Sequence, residues 1–566
     1  MSAGDQSEGP VSPPASPRDR GVWRLVSAEE MRALDAATIE GRGVSGGILM
    51  ENAGRALVDP ALRLRAGGIR PGGPILVLAA AGNNGGDGFV VARHLFGEGV
   101  PVEVVLIGSP EKLPTEAAAN WERLGPAGVP VIAIPADEAA AALQARLSEA
   151  SVVVDALFGT GLGRDLEGGF ADLVEVVNGA RAKGARILAV DSPSGIESRT
   201  GAVLGAAICA DETVTISLPK LGLVLEPGAQ HAGRIRVARI GIADPDPEDA
   251  DRVELWNARA ASAHFPDRGA AGHKGTFGHV LVIAGSTGKC GAGALASRAA
   301  ARAGAGLVTL AYPAGLEPEL AALPVEVMSA PVAATAEGGL AIAGEKAAIE
   351  LAAARDVVAL GPGLGRHPET DALVQTLLKE LDRPVVLDAD GLNALGEGLA
   401  VLRDRRRATV ITPHPGEAAR LLGMTSREIN RDRLSAARRL AEQSGAVAVL
   451  KGARTMIASP EGRVVVTPTG GPALATGGTG DVLTGVIAAL LASGLEAFDA
   501  AALGAWWHGA AADGLPVSEN GFGLLASELA DALPATARAI HARAQGDEND
   551  QEGGPGGILD LRFPGP

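Results

Sequence analysis

The chain has 566 residues, of which 46% are hydrophobic, 21% charged and 3% aromatic. This is a globular composition with room for two large domains or three ordinary ones, and it excludes a chain disordered throughout. Fifty lysines and arginines against 67 aspartates and glutamates give a formal net charge of −17, which excludes a general nucleic-acid binder or a protein drawn to anionic membranes, since both need a basic surface.

Residues 1–20 are rich in Pro and Ser, carry Asp5 and Glu8 and have no apolar h-region, so they read as a disordered N-terminus and not as a signal peptide. No apolar run reaches the roughly 18 residues of a membrane helix. Two cysteines, Cys209 and Cys290, are too few for a disulfide framework or a zinc cluster, and a reducing cytoplasm is the expected compartment. Ser27-Ala-Glu-Glu30 is a capping box before a helical pattern through Met31, Leu34 and Ile39.

Apolar runs at 74–81, 102–107, 129–134, 151–157 and 186–190 then alternate with helical stretches at 88–96, 115–124, 136–147 and 169–181, and β-like runs at 213–218 and 234–240 follow. Short strands separated by helices make βαβ units and a parallel sheet covered on both faces. The first half, 21–242, is therefore expected to be a doubly wound, Rossmann-like three-layer α/β sandwich. A Pro/acid stretch at 243–251 marks a linker, assigned to 243–256. The alternation restarts with a strand at 279–284, a helix at 291–303 and strands at 307–311, 357–360, 384–387, 409–411 and 446–450. A second doubly wound α/β domain over 257–544 follows, with 545–566, rich in Gly, Asp and Glu, as a disordered tail.

Glycine supplies 78 residues without a collagen period, which points to glycine-rich loops between the elements. After the strand at 74–81 comes Ala81-Gly-Asn-Asn-Gly-Gly-Asp-Gly88. A glycine-rich strand-to-helix turn aims backbone N–H groups and the positive end of a helix at an anion. The sequence matches neither Gly-x-Gly-x-x-Gly nor a Walker motif. A tight turn is the plain alternative, but it does not call for Asn83, Asn84 and Asp87 together. Two more strand ends carry Asp155-Ala-Leu-Phe-Gly-Thr-Gly-Leu-Gly-Arg-Asp165 and Asp191-Ser-Pro-Ser-Gly195. Each aspartate alone is compatible with a helix cap, whereas three such loops can converge on one crevice outside the strand C-termini.

These three motifs together resemble the NAD(P)H-hydrate epimerase domain over roughly residues 25–245. The resemblance implies that Asn83, Asn84, Gly85, Gly86 and Asp87, with Gly159, Thr160, Gly161, Leu162, Gly163, Arg164 and Asp165, line the site for the hydrated nicotinamide nucleotide. It further implies that Asp191 contacts the substrate and that Asn84, Asp155 and Ser194 hold K⁺, whose preference for oxygen donors suits that set. The implied reaction interconverts the R and S forms of NADHX and NADPHX at C6 of the nicotinamide ring, and Asp191 is the candidate acid/base.

In the second half, Gly285-Ser-Thr-Gly-Lys-Cys-Gly-Ala-Gly293 is a near miss to a P-loop, with Cys290 in place of Ser/Thr and Ile283 in place of the first glycine. Ala475-Thr-Gly-Gly-Thr-Gly-Asp-Val-Leu-Thr-Gly485 precedes an apolar helical run from Val486. Its glycine N–H groups can form an anion hole, and Asp481 stands where a base could face a hydroxyl; the plain alternative is an N-cap aspartate.

Gly478-Thr-Gly-Asp481 resembles the signature of the ribokinase-like superfamily. Gly361-Pro-Gly-Leu-Gly365, Thr412-Pro-His-Pro-Gly-Glu417 and Lys451-Gly-Ala-Arg-Thr455 are similar to its NAD(P)H-hydrate dehydratase branch, over about 257–540. His414 stands where sugar kinases carry asparagine. The resemblance implies a ribokinase-like fold for this half. It also implies that Ala292, Gly363, His414 and Asp481 contact the hydrate, and that Lys451, Gly452, Ala453, Arg454, Thr455 and Gly480 hold the nucleotide. The implied chemistry is phosphorylation of the C6 hydroxyl, with Asp481 as catalytic base and Mg²⁺ and ADP as cofactors, followed by elimination of phosphate. NADHX, NADPHX and ADP are the expected small-molecule partners, without nucleic acid or membrane, in a homo-oligomer. The rival expectations are a ribokinase-like vitamin or sugar kinase fused to an α/β domain of unknown activity, and a non-catalytic nucleotide-binding protein.

Overall fold

The computed structural model of the chain describes residues 21–242, 245, 249–322, 324–396, 398–516, 521–546 and 558–561. The disorder expected for residues 1–20 and for most of the tail falls outside them. Eight strands precede the linker: β1 (Val22–Leu25), β2 (Ile75–Ala80), β3 (Val102–Ile107), β4 (Val131–Ile134), β5 (Val152–Ala156), β6 (Arg186–Val190), β7 (Glu212–Ile216) and β8 (Arg234–Ala238). Strand β9 (Val253–Trp256) falls at the linker's end, and β10 (His279–Ile283), β11 (Leu307–Pro313), β12 (Met328–Val332), β13 (Val357–Leu360), β14 (Val385–Leu387), β15 (Thr409–Ile411), β16 (Val447–Leu450), β17 (Met456–Ala458) and β18 (Val464–Val466) follow. The short β19 (Ile558–Leu561) comes last.

Two sheets form. The first runs β19-β8-β7-β6-β5-β2-β3-β4, and the strands from β2 to β8 are parallel. Strands β2 and β5 are buried along their whole length, as strands covered on both faces must be. One face packs against the helices Gly46–Ala56 and Asn83–Gly97, the other against Ala136–Glu149 and Gly169–Ala182. This is the three-layer α/β sandwich expected. The order reverses at β2, which has β3 on one side and β5 on the other, so a ligand crevice belongs at the C-terminal ends of β2 and β5.

The second sheet runs β1-β9-β18-β17-β16-β15-β14-β13-β10-β11-β12, with β10 to β16 parallel. Apolar cores lie on both faces. Its order reverses at β10, between β13 and β11.

The ends of the chain depart from the expected boundaries. Strand β1, placed by the sequence with the first half, pairs antiparallel with β9 and so lies in the second sheet. Strand β9 occupies the last four positions assigned to the linker. The helix Ala526–Gly546 runs two residues into the expected disordered tail, and β19 adds antiparallel to β8 at the edge of the first sheet. Among the described residues no helix is long and apolar enough to cross a membrane.

Candidate active sites

The Asn-Asn-Gly-Gly-Asp-Gly segment is not a loop, as its glycines suggest, but the first turns of the helix Asn83–Gly97, whose N-cap is Gly82. Gly85 and Gly86 face the body of the domain. A Cβ on Gly85 would lie 2.3 Å from the Ala80 carbonyl oxygen, and one on Gly86 would lie 2.6 Å from Met50 Sδ. The absent side chain of Gly85 lets the helix approach the end of β2, and that of Gly86 lets it approach Met50 and Ala117 on neighbouring helices, while Asn83, Asn84 and Asp87 face the crevice.

A cavity of about 1080 Å³ occupies that crevice, and Asn83, Asn84, Asp87, Gly159, Thr160, Gly161, Leu162, Gly163, Arg164 and Asp191 line it. Gly85, Gly86 and Asp165, expected with them, do not. Residues 31–40, on the helix Ala28–Arg42 that the capping box starts, supply a further wall that includes Asp35. Lys220 also lines the cavity. Neither Asp35 nor Lys220 belongs to a recognisable loop motif, and only the scarcity of lysine, eight in the chain, could have drawn attention to Lys220.

Burial pushes the Asp87 carboxyl well above the usual carboxylate range, with the charges of Asp191 and Asp35 adding to it. Asp35 is raised for the same first reason. Asp191 caps no helix; its backbone is left-handed, with φ of 64°, and its Oδ1 accepts from the Ile216 N–H at 2.9 Å and pairs with Lys220.

Asp155, at the end of β5, and Ser194 are buried together. Ser194 Oγ donates to Asp155 Oδ1 at 2.6 Å, and its N–H donates to Oδ2 at 2.8 Å. Burial, opposed by those hydrogen bonds, pushes Asp155 up to about 6. Asn84 Oδ1 comes close to Gly159, and the Asn84 Nδ2 is buried without a hydrogen-bond partner among the described residues. The Asp155 carboxylate, the Ser194 hydroxyl and the Asn84 Oδ1 are oxygen donors of the kind a hard monovalent cation takes; the unpaired Asn84 Nδ2 is a donor and needs an acceptor instead.

In the second half the helix expected from Val486 starts at Thr479. Its N-cap is Gly478, in the left-handed region with φ of 92°, and no side chain caps it. Asp481 thus stands inside the first turn without capping the helix. It faces a charged cluster drawn from the ends of β14, β15 and β16. Lys451 Nζ lies 2.8 Å from Asp388 Oδ1 and 4.0 Å from Glu417 Oε2, and a Cβ on Gly480 would lie 3.4 Å from that Nζ. Burial and the Asp388 charge push Asp481 up to about 7, opposed by Lys451. A carboxyl that changes charge near neutral pH is suited to proton transfer.

Gly363 and Ala292 meet at the switch point of the second sheet, where a Cβ on Gly363 would lie 2.9 Å from Ala292 Cβ. Lys289 and Asp390 pair beside them at 3.3 Å. His414 is the N-cap of the helix Pro415–Leu422: its Nδ1 accepts from the N–H of Gly416 at 2.9 Å, and Glu417 closes a capping box. Its ring, half exposed, still borders the cluster through Glu417. Burial and then the Lys451 charge hold its pKa below the usual histidine value.

The loop of Gly452, Ala453, Arg454 and Thr455 follows Lys451. Thr455 Oγ1 donates to the Gly452 carbonyl at 3.1 Å, and the Arg454 guanidinium donates to the Pro468 carbonyl at 2.5 Å. Buried Arg433, which no motif singled out, supports this loop through the carbonyls of Leu450 and Lys451 at 3.0 and 3.2 Å. Asp388 and Asp390 also escaped the motif reading, although Asp-Ala-Asp directly after an apolar run at a parallel strand end was a usable signal.

The NAD(P)H-hydrate dehydratase family profile matches residues 280–535, and that of the YjeF-related protein N-terminus matches 46–222. The bifunctional NAD(P)H-hydrate repair enzyme of Moorella thermoacetica is 42% identical over 526 residues, covering 92% of this chain and 98% of its own. The enzyme of the same name from Thermofilum pendens is 40% identical over 91% of this chain and 97% of its own. Among solved structures, the ADP/ATP-dependent NAD(P)H-hydrate dehydratase of Bacillus subtilis, co-crystallised with ATP and Mg²⁺, aligns with 50% of this chain and 98% of its own at 32% identity and a TM-score of 0.44.

Proposed function

Because the chain belongs to the family of bifunctional NAD(P)H-hydrate repair enzymes, we propose that its two halves divide one repair between them. The first half epimerises R- and S-NAD(P)HX, and the second dehydrates the S form to NAD(P)H with ADP, giving AMP and phosphate. The observation that carries this reading is that each half holds one aspartate that caps no helix, Asp191 in the wall of the first cavity and Asp481 facing the cluster of Lys451 and Asp388. A small-molecule kinase fused to an unrelated domain is not favoured, since the relatives align with both halves.

In the first cavity Asp191 is the acid/base at C6, with Asn83, Asn84, Asp87 and the 159–164 loop around the hydrate. Asn84, Asp155 and Ser194 would hold K⁺, which would supply positive charge beside the substrate. In the second half, Asp481 takes the proton of the C6 hydroxyl as it attacks the terminal phosphoryl group. Ala292, Gly363 and His414 border the hydrate, while Lys451 to Thr455 and the Gly480 amide hold the nucleotide. Lys451 meets phosphate as a point charge. The carboxylates of Asp390 and Glu417 would offer a nucleotide-bound Mg²⁺ the oxygen donors it prefers, and the ion would neutralise charge on the transferring phosphoryl group. Phosphorylation converts a poor leaving group into a good one, and expulsion of phosphate restores the dihydronicotinamide.

We extend the proposal to a cytoplasmic location, supported by two unpaired cysteines, and to a homo-oligomer, which light scattering checks. The activity test supplies mixed R- and S-NADHX with ADP or ATP and follows NADH absorbance. Complete conversion with ADP is expected. Conversion of the S fraction alone refutes the epimerase assignment, and no conversion with either nucleotide refutes both.

A further inference from the structure

Lys220 follows β7 and is only 1% exposed, although it forms part of the floor of the first cavity. Burying an ammonium is costly unless it is paired and its protons are all accepted. Lys220 meets both conditions. Its Nζ pairs with Asp191 Oδ1 and donates to the Ile216 carbonyl at 2.8 Å and to Thr215 Oγ1 at 3.2 Å, which provides an acceptor for each of its three protons. The backbone around it is also fixed: the Val26 N–H donates to the Pro219 carbonyl at 3.1 Å, and the Leu221 N–H donates to the Val26 carbonyl at 3.2 Å.

The carboxylate it meets is used unevenly. Asp191 Oδ1 accepts from Lys220, from the Ile216 N–H at 2.9 Å and from the Thr215 hydroxyl at 3.2 Å. Among the described residues no donor is directed at Oδ2. The Asp191 backbone is held in the left-handed region, a conformation that persists in a residue with a side chain only where its surroundings over-determine it.

We infer that Lys220 is a positioning residue of the epimerisation: with Thr215 and the Ile216 amide it clamps Asp191 by Oδ1, so that Oδ2 alone is presented to the C6 hydroxyl of the hydrate. This rests on the epimerase reading of the cavity and adds to it which oxygen reacts and what holds it. Oδ2 takes the hydroxyl proton, and the electron pair of that bond forms the second C6–O bond as C6–N1 breaks, its pair remaining on N1. Rotation about C5–C6 exposes the other face. N1 then attacks C6, the carbonyl pair returns to oxygen, and the oxygen recovers its proton from Asp191. Nothing is oxidised or reduced, and no co-reactant is consumed.

Lys220→Met and Lys220→Ala in the full chain test the inference with mixed NADHX and ADP. The S fraction, consumed by the second half, reports that the chain is folded and should disappear at the wild-type rate. The R-dependent phase should slow by about 10²-fold in kcat with KM changed less than about threefold. Methylammonium should restore about tenfold to Lys220→Ala and nothing to Lys220→Met, whose side chain fills the slot. Unchanged R conversion, or a loss carried by KM and indifferent to methylammonium, overturns the role of Lys220. If neither variant folds, Thr215→Val decides: slowing by about tenfold in kcat is expected, and a wild-type rate overturns the clamp. Failure of the unmutated chain to convert the R form would instead refute the epimerase reading itself.

Discussion

Lys451 and Asp388 form a buried ion pair that joins two strand ends of the second sheet, with Nζ 2.8 Å from Oδ1 and the other carboxylate oxygen accepting from Thr484 Oγ1 at 2.8 Å. Asp388 is 1% exposed and Lys451 20%. Removing one partner of such a pair strands the other charge away from water, which costs more than the pair contributes as a whole. Lys451→Met should therefore lower unfolding stability by about 3 kcal/mol and raise the KM for ADP. Asp388→Asn combined with it should cost less than the sum of the single changes. Denaturant titrations of the four proteins check this, and strict additivity would show that the pair is not coupled.

Asp481 links activity to pH and stability in opposite directions. Its carboxyl stays protonated up to about pH 7 in the folded chain, against an ordinary value of 3.8. Between those values the native state binds more protons than the unfolded state, so the stability this group contributes is fully present below about pH 4 and is lost as the pH rises through about 7. The base is available only above that point. Dehydration by the wild-type chain should rise with pH up to about 7 and level off. Asp481→Asn should abolish it at every pH while stabilising the nucleotide-free chain at pH 8 by on the order of 1 kcal/mol. A dehydration rate that is flat between pH 6 and 8, measured under single-turnover conditions, would remove Asp481 from the base role.

Potassium should matter to one half only. If Asn84, Asp155 and Ser194 hold the ion as proposed, exchange into tetramethylammonium buffer would leave the buried Asp155 carboxylate without its counter-charge. Conversion of the R fraction should then fall by about tenfold or more, and conversion of the S fraction should continue. The NADH progress curve on mixed substrate separates the two phases, and equal loss of both would place the ion elsewhere.

Gly363 offers a steric test of the second switch point. Its φ of 63° is in the left-handed region, and a Cβ there would lie 2.7 Å from the Lys289 carbonyl oxygen. Gly363→Ala should cost about 1–3 kcal/mol of local strain and push apart the walls formed by residues 289–292 and 361–365. Dehydration of the S form should slow severely, while R/S equilibration, followed by chromatography of the two epimers, stays at the wild-type rate.

The two parallel sheets were legible because their signal is local. Buried parallel strands are continuous apolar runs, and at 102–107, 186–190, 357–360 and 409–411 the observed strands coincide with the expected spans. The loops were legible for a related reason: ligands gather where parallel strands end, so Asp155 and Asp191 could be placed from the run that precedes each. Strands β17 and β18 were not, since three residues each carry no readable period.

The chain's own order of residues determined that it builds two α/β layers and which loops face their crevices. Only the tertiary structure decided which charges meet in those crevices. Lys220 reaches Asp191 across 29 residues and Lys451 reaches Asp388 across 63, and no periodicity encodes which strand will lie beside which. It also decided that β1 joins the second sheet and β19 the first. An edge strand is chosen by the unpaired N–H and C=O groups it covers, and those groups exist only once the sheet has formed.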